Sequence, residues 1–360
     1  MIIYILECPT PHHTPTLNRL HRTLSEDVRV FYLFGPDKTR GWGDVAIEHQ
    51  CEVLDNPRAW LALSRMLLAP GLRVVCVFGY RGTARIMAIL LARLRRLPLV
   101  LRAAANVHLE LPRSPARRLA KRWYLRTLLG QPEVWTIGSA NAAYWKSFGL
   151  HRHHLIPYSL PRLPDGAADA PALRERLGLQ GRFVFAFVGR LDPVKGLDDL
   201  LTAYDTVRTR TPTGATALVI TGQGPLEPEI RRYAQRHDDC HFLGSMPQHK
   251  VGSVYAAADV FVLPSTYEQW GWVVNEALGF GTRIIVSDVV GAADDLCTDA
   301  TGRRCRPGDP ASLAEAMLAE FAMGPHRAPR LAPVNIADSM AERLRDLAPL
   351  RQPMPTLEKS

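Results

Sequence analysis

The chain has 360 residues, 47% of them hydrophobic, and a formal net charge of +9. The length suggests two domains, and the composition is ordinary for a soluble protein. Its six cysteines, Cys8, Cys51, Cys76, Cys240, Cys297 and Cys305, show no C-x-x-C spacing, so neither a disulfide framework nor a structural zinc site is expected. The charge is uneven. Residues 1–160 carry 22 Lys and Arg against 10 Asp and Glu, a net of +12, and the remainder carries 22 against 25, a net of −3. Between Pro57 and Pro132 the only acid is Glu110. A one-sided half suits an anionic partner, and arginine-rich surface dressing is the plain alternative. No recognised binding motif accompanies the charge, so no nucleic-acid partner is expected. The opening MIIYILECPT reads as a buried strand without the basic start of a signal peptide, and no apolar run reaches membrane-spanning length. A cytoplasmic chain, or one peripheral to the inner face of the cell membrane, is the expectation.

In chain order, Ile2–Leu6 is the first expected strand. The loop Cys8–Thr16 follows, with three prolines, His12 and His13, and then a helix over Leu17–Leu24. Val28–Phe34 is a strand, Gly35–Asp44 a polar loop, Pro57–Leu68 a helix, Arg73–Phe78 a strand, Thr83–Arg96 a helix and Leu99–Leu101 a short strand. The loop Arg102–His108, RAAANVH, leaves that strand at its carboxyl end. Ser114–Leu129 reads as a basic amphipathic helix capped by Ser114 with Pro115 in its first turn. Such a helix suits an anionic membrane surface or a phosphate-bearing acceptor, and equally an ordinary solvated face. Val134–Ile137 is a strand, Asn141–Phe148 a helix and Leu155–Tyr158 an exit strand. Alternating strands and helices argue for a parallel, right-handed wound sheet. Pro161–Pro171, rich in Pro, Gly, Ala and Asp, is the linker candidate.

The second half opens with a short helix, Leu173–Leu177, and a strand, Phe183–Val188, apolar enough to be buried on both faces. Gly189-Arg190-Leu191-Asp192-Pro193-Val194-Lys195-Gly196 then leads into a helix from Leu197. Two cations at the end of a core strand, near a helix amino terminus, are placed to meet a diphosphate. Strands are expected at Ala217–Thr221, Cys240–Leu243, Val260–Leu263 and Arg283–Ser287, and helices at Leu226–Arg236, Val251–Ala258 and Trp272–Leu278. Gly222 follows the first of these strands, where a glycine permits close backbone approach. Between Val260–Leu263 and Trp272–Leu278 lies a polar loop with Glu268 and Gly271, and Glu276 falls within the helix. Acids at the carboxyl end of a parallel strand sit where open α/β sheets bind ligands. Gly302–Asp309 reads as a closing loop before a helix, and Ile336–Leu347 as a further amphipathic helix.

The stretch FVLPSTYEQWGWVVNEALGFGTRIIVSDVVGAADDL, from Phe261 to Leu296, resembles the donor-site signature of retaining glycosyltransferase family 4. Two glutamates with seven residues between them match Glu268 and Glu276, the proline-serine lead-in matches Pro264-Ser265, and the small-residue turn matches Gly291-Ala292. Gly189–Gly196 resembles that family's phosphate-binding loop, and TIGSANAAYWKSFG with IPYS resembles a pattern of bacterial members. The resemblance implies the GT-B fold, α/β, with two Rossmann-like domains facing each other across a deep cleft. It implies an acceptor-binding domain over residues 1–160, a donor-binding domain over 161–335, and a final segment 336–360 whose helix crosses back to the first domain. It further implies transfer of a sugar from a nucleotide-diphosphate sugar to a hydroxyl-bearing acceptor, soluble or lipid-linked, with anomeric retention and no cofactor.

On that resemblance Arg190 and Lys195 neutralise the diphosphate in place of a metal. Glu276 takes the ribose hydroxyls, Glu268 the donor-sugar hydroxyls, and Gly189, Gly222, Leu243, Gly271, Trp272 and Val273 line the donor. The catalytic set is Glu268, Arg190, Lys195 and His108. His108, Asn106, His12 and His13 are the candidates for the first-domain residue that touches the reacting sugar. A GT-B phosphorylase, a nucleotide-sugar epimerase or hydrolase, and a non-catalytic sugar-nucleotide binder are the alternatives.

Overall fold

The computed structural model describes residues 1–24, 28–36, 46–109, 114–158, 160, 163 and 165–347. Strands β1 (Ile2–Leu6), β2 (Val28–Tyr32), β3 (Gln50–Val53), β4 (Val74–Phe78), β5 (Leu99–Arg102), β6 (Glu133–Thr136) and β7 (His153–Leu155) form one sheet in the order β3-β2-β1-β4-β5-β6-β7. Strands β8 (Phe183–Val188), β9 (Thr216–Thr221), β10 (Cys240–Phe242), β11 (Val260–Leu263), β12 (Arg283–Ser287) and β13 (Gly302–Cys305) form the other, in the order β10-β9-β8-β11-β12-β13. Every pairing in both sheets is parallel. The central strands β1, β8, β11 and β12 are buried along their whole length, as the apolar runs that make up β1, β8 and β11 and the middle of β12 require when helices cover both faces. In each sheet the order reverses beside the first strand, so carboxyl-end loops diverge there and leave a crevice. Two Rossmann-like units of this kind, facing each other across a cleft, make the GT-B fold.

The structure departs from the sequence reading at the edges. β3 was not expected: Gln50-Cys51-Glu52-Val53 lies at the sheet's margin with its first two residues exposed, so it lacks the apolar pattern that reveals a core strand. β13 occupies part of the expected closing loop, also at a margin. β7 is His153–Leu155 instead of a strand running on from Leu155. β5 extends through Arg102, which therefore belongs to the sheet and not to the loop. The first helix begins at Thr14, before the expected Leu17, which puts His13 at its N-cap. The helix after the linker candidate spans Ala170–Arg176. The polar loop Gly35–Asp44, the acid Glu110, most of Pro161–Pro164 and the tail from residue 348 fall wholly or partly outside the described residues.

Helix Ala337–Leu347 lies on the first unit. Ile336, Ala337, Met340, Ala341 and Leu344 share a core with Tyr4, Leu17, Leu20 and Trp135. Arg343 donates to both carboxylate oxygens of buried Glu133, at 2.7 and 2.6 Å, and Arg19 pairs with Asp338 at 2.6 Å. The core of the second unit takes in Ile137 and Tyr158 from the first. The two units are thus joined by apolar packing as well as by chain connection.

Candidate functional site

The loops leaving β8 and β11 converge. After β8 the chain passes Gly189 and Arg190, turns through a single 3-10 turn at Pro193–Lys195 and enters helix Leu197–Arg210. The Lys195 ammonium meets the Glu268 carboxylate from the loop after β11, and both side chains are largely shielded from solvent. Arg190 pairs with Asp192 and is 61% exposed. Gly222, at the end of β9, lies against this loop: a Cβ there would fall 1.8 Å from the Gly189 carbonyl oxygen, so no larger residue fits. The Gly222 N–H donates to the Gly244 carbonyl at 2.9 Å, and Leu243 is tied to Ile220 at 2.9 Å. Gly189, Gly222 and Leu243 therefore lie along one rim.

Helix Trp272–Gly279 starts behind Gly271, whose φ of +96° suits glycine. Glu276 sits within it, 6% exposed, and accepts a hydrogen bond of 2.6 Å from the Tyr255 hydroxyl. Burial, and next the Glu276 charge, push the Tyr255 phenol well above its usual range. The structure brings Lys195 and Glu268 into contact across 73 positions of sequence. Glu276 is held more deeply, with its carboxylate already bonded to the second unit's own core.

The four first-unit candidates occupy different places. Asn106, 1% exposed, donates to the Glu268 and Gln269 carbonyls at 3.0 and 3.1 Å. It fixes the backbone of the acidic loop from across the cleft. Gly291 packs beneath, where a Cβ would fall 1.9 Å from the Gln269 carbonyl oxygen. His108 stands in a short turn, with Nε2 at 3.0 Å from Asp294 Oδ2, and Asp294 also receives Arg304 at 3.0 Å. His108 is thus engaged with the helix Ala293–Leu296. Its neighbour Asp295 accepts from the Ser139 N–H at 2.9 Å and from the Ser139 hydroxyl at 2.5 Å.

His12 stacks on Trp272 with ring centroids 4.5 Å apart, and Tyr158 stacks on Trp272 at 4.3 Å. His13 abuts Phe78, Tyr158 and Trp272. Burial lowers His12 to about 4. Burial, then the Arg102 and His12 charges, lower His13 to about 3. Both are neutral imidazoles near pH 7.

Beside this junction a cavity of about 1120 Å³ opens in the first unit. Its lining includes Tyr80, Arg81, Arg85, Arg102, and Tyr267 and Gln269 on either side of Glu268. Sequence reasoning missed the Trp272 stack, the Asp294 and Asp295 contacts, and Arg102. A tryptophan opening a helix and a lone arginine in an otherwise apolar strand were the available signals, but their partners are remote in the chain. Among the described residues no group of three or more His, Cys, Asp or Glu could hold a metal ion.

The matches to known proteins agree with this geometry. Residues 182–321, which carry Arg190, Lys195, Glu268 and Glu276, match the family model described as Glycosyl transferases group 1. A glycogen synthase of Mycobacterium tuberculosis is 33% identical over 134 residues, 36% of this chain and 32% of that protein. A D-inositol 3-phosphate glycosyltransferase of Streptomyces coelicolor is 31% identical over 198 residues, 51% of this chain and 43% of that protein. The chain thus spans less than half the length of these curated relatives. Among solved structures, Anabaena Alr3699/HepE in complex with UDP superposes with a TM-score of 0.68 at 17% identity, covering 96% of this chain and 95% of that one. That likeness establishes the GT-B fold over both units.

Proposed function

We propose that the chain is a retaining glycosyltransferase of family 4 that takes its sugar from a nucleotide-diphosphate donor. One observation carries the reading: Lys195 and Glu268 meet at the carboxyl ends of β8 and β11, at the cleft, inside the segment that matches the group 1 glycosyl transferases. Alr3699/HepE, which shares the fold, has been solved with UDP-glucose. The proposed division is an acceptor-binding unit over residues 1–160 and a donor-binding unit over 161–335, with 336–360 returning to the first.

The donor diphosphate lies along the rim of Gly189, Gly222, Gly271 and the first turn of helix Trp272–Gly279, whose amino-terminal dipole favours an anion. Arg190 and Lys195 exchange their present partners, Asp192 and Glu268, for phosphate oxygens and neutralise the charge that grows as the glycosidic phosphate bond breaks. Glu268, released from Lys195, accepts from hydroxyls of the donor sugar. Glu276 serves the ribose, and Leu243 flanks the base. The acceptor oxygen bonds to the anomeric carbon on the face the diphosphate leaves, and the departing phosphate oxygen takes the acceptor proton. No protein nucleophile is required. Asn106 positions the Glu268 loop, and neutral His13 faces the reaction from the acceptor side. His108 acts through its tie to Asp294, which holds the units together.

Helix Pro115–Leu129 exposes Leu119 and Trp123, 68% and 69%, with Arg117, Arg118 and Arg122 exposed alongside. We assign it as a peripheral contact with anionic membrane. Among the described residues no helix is long and apolar enough to cross a membrane.

Calorimetry against a panel of UDP-, GDP-, TDP- and ADP-sugars, with and without magnesium, tests the donor site. Binding of one donor family, unaffected by magnesium and weakened in Lys195→Ala, is the expected result. No binding across the panel overturns the reading, and donor turnover that needs no acceptor replaces it with an epimerase or hydrolase.

A further inference from the structure

Among the described residues Arg102 is an arginine without an acid. It closes β5 at the carboxyl end, is 2% exposed, and lines the cavity of the first unit. Its guanidinium lies 4.9 Å over the Tyr158 ring. Among the described residues neither Nη1 nor Nη2 makes a close hydrogen bond, and the polar partner that the guanidinium does have is a phenol, that of Tyr158. Burial lowers its pKa, and the neighbours that oppose this are the phenols of Tyr158 and Tyr4, not a carboxylate. Guanidinium stays charged in proteins, so a buried one left unpaired is strongly unfavourable unless a ligand supplies the counter-charge.

The surroundings repeat the pattern. Arg85 on helix Thr83–Leu94 is also buried and has an unpartnered Nε. Its Nη1 reaches only the Arg81 carbonyl, at 3.3 Å, and its nearest carboxylate, Glu7, stands 3.9 Å away and is 71% exposed. Arg81 and Lys121 are the other cations of the lining, and Glu7 is its one acid among the described residues. Lys121 is engaged, bonded to the Tyr144 hydroxyl at 2.6 Å. Among the described residues, four cations against one exposed acid, in a cavity walled by Phe78, Tyr80, Tyr144 and Tyr158, describe a site with aromatic faces for a sugar ring and planar forks for an anion.

We infer that this cavity seats a phosphate ester of the acceptor, with Arg102 and Arg85 as its principal anchors. The inference rests on the donor reading above only for the word acceptor: Tyr267 and Gln269, which flank Glu268, line the same cavity, so a ligand held there presents its hydroxyls to the donor sugar. The phosphate belongs either to a soluble sugar phosphate or to a lipid headgroup.

Inorganic phosphate, glucose 6-phosphate, glucose and vesicles containing phosphatidic acid are the probes, read by thermal shift, calorimetry and flotation. Phosphate also suits Lys195 and Arg190, so all titrations are run in Lys195→Ala as well as the parent chain. Phosphate is expected to raise the melting temperature in both. Glucose 6-phosphate is expected to bind at least tenfold tighter than glucose, and Arg102→Met and Arg85→Gln each to lose at least tenfold of that. Without ligand, Arg102→Met is expected to melt at or above the parent temperature, because it removes an uncompensated charge. A fall of several degrees identifies Arg102 as structural and overturns the assignment. So does an anion response that survives both variants, or one that vanishes in Lys195→Ala. Response to vesicles alone, lost in Arg102→Met, supports the site and assigns the lipid source. Vesicle binding that persists in Arg102→Met, with no response to soluble phosphates, overturns it. UDP binding is the independent control. UDP bound without a phosphate response removes the anion site, whereas phosphate bound without UDP leaves it standing and removes the donor reading.

Discussion

Each unit buries one arginine in a parallel strand, and the two are treated in opposite ways. Arg283, at the start of β12, is 3% exposed and forms a two-pronged pair with Glu320 at 2.6 and 2.8 Å, with a further bond to the Ala300 carbonyl at 2.9 Å. Arg102, at the carboxyl end of β5, has no carboxylate partner among the described residues. The difference is one of place. Arg283 lies at the amino end of its strand, away from the cleft, where every charge must be settled within the fold. Arg102 lies at the ligand-facing end. The same contrast holds around them: the second unit's site charges are paired in advance, Lys195 with Glu268 and Arg190 with Asp192, whereas the first unit's cavity is left with an excess of cations. A paired charge exchanges partners when a ligand arrives, and an unpaired one waits for its partner.

The sharpest test of that contrast is the matched exchange. Arg283→Met strands a fully buried Glu320 carboxylate beside Arg303 alone, and is expected to lower unfolding free energy by about 3–5 kcal/mol, read by urea denaturation. Arg102→Met is expected to lose none. Comparable losses at both positions would erase the distinction. Lys195→Ala comes next. It is expected to reduce turnover by a factor of about 10²–10³, some 3–4 kcal/mol in the barrier, with a smaller change in donor affinity, because diphosphate charge peaks as the bond breaks. Equal losses in turnover and affinity, measured by single-turnover kinetics and calorimetry, would show that Lys195 serves binding alone.

Acid should reveal the first unit's histidines. The lowered values of His12, His13 and His49, about 4, 3 and 4, lie below the unfolded value near 6.5. The unfolded chain therefore binds more protons between these limits. Stability is full above pH 6.5 and is lost as pH falls toward the folded values, by about 2 kcal/mol per histidine from pH 7 to pH 5. Urea midpoints at the two pH values measure this, and His13→Asn is expected to remove about a third of the histidine share. Asn106→Ala cuts one of the ties between the units, and about a tenfold fall in turnover is expected with about 1–2 kcal/mol of stability. The smallest effect is Glu276→Gln, about 1–2 kcal/mol of donor binding by calorimetry, since Tyr255 still donates to the side chain.

The sequence determined the core strands and the order of the second unit. β8 and β11 are continuous apolar runs and β12 has an apolar centre, Ile284–Val286, and burial on both faces favours that pattern. It also determined that Arg190, Lys195 and Glu268 lie in loops after strands and Glu276 in the helix that follows, because their spacing is local. The edge strands β3 and β13 were not legible, since an edge places few demands on side chains. Nor could the sequence say which first-unit residue reaches the acidic loop, because the approach of Asn106 to Glu268 spans 162 positions and no local pattern encodes it. The tertiary structure alone decided that His108 goes to Asp294, that His12 and Tyr158 close on Trp272, and that Arg102 is left without a carboxylate. Those outcomes depend on how remote segments of the chain meet in space, and such contacts carry no periodicity along the chain.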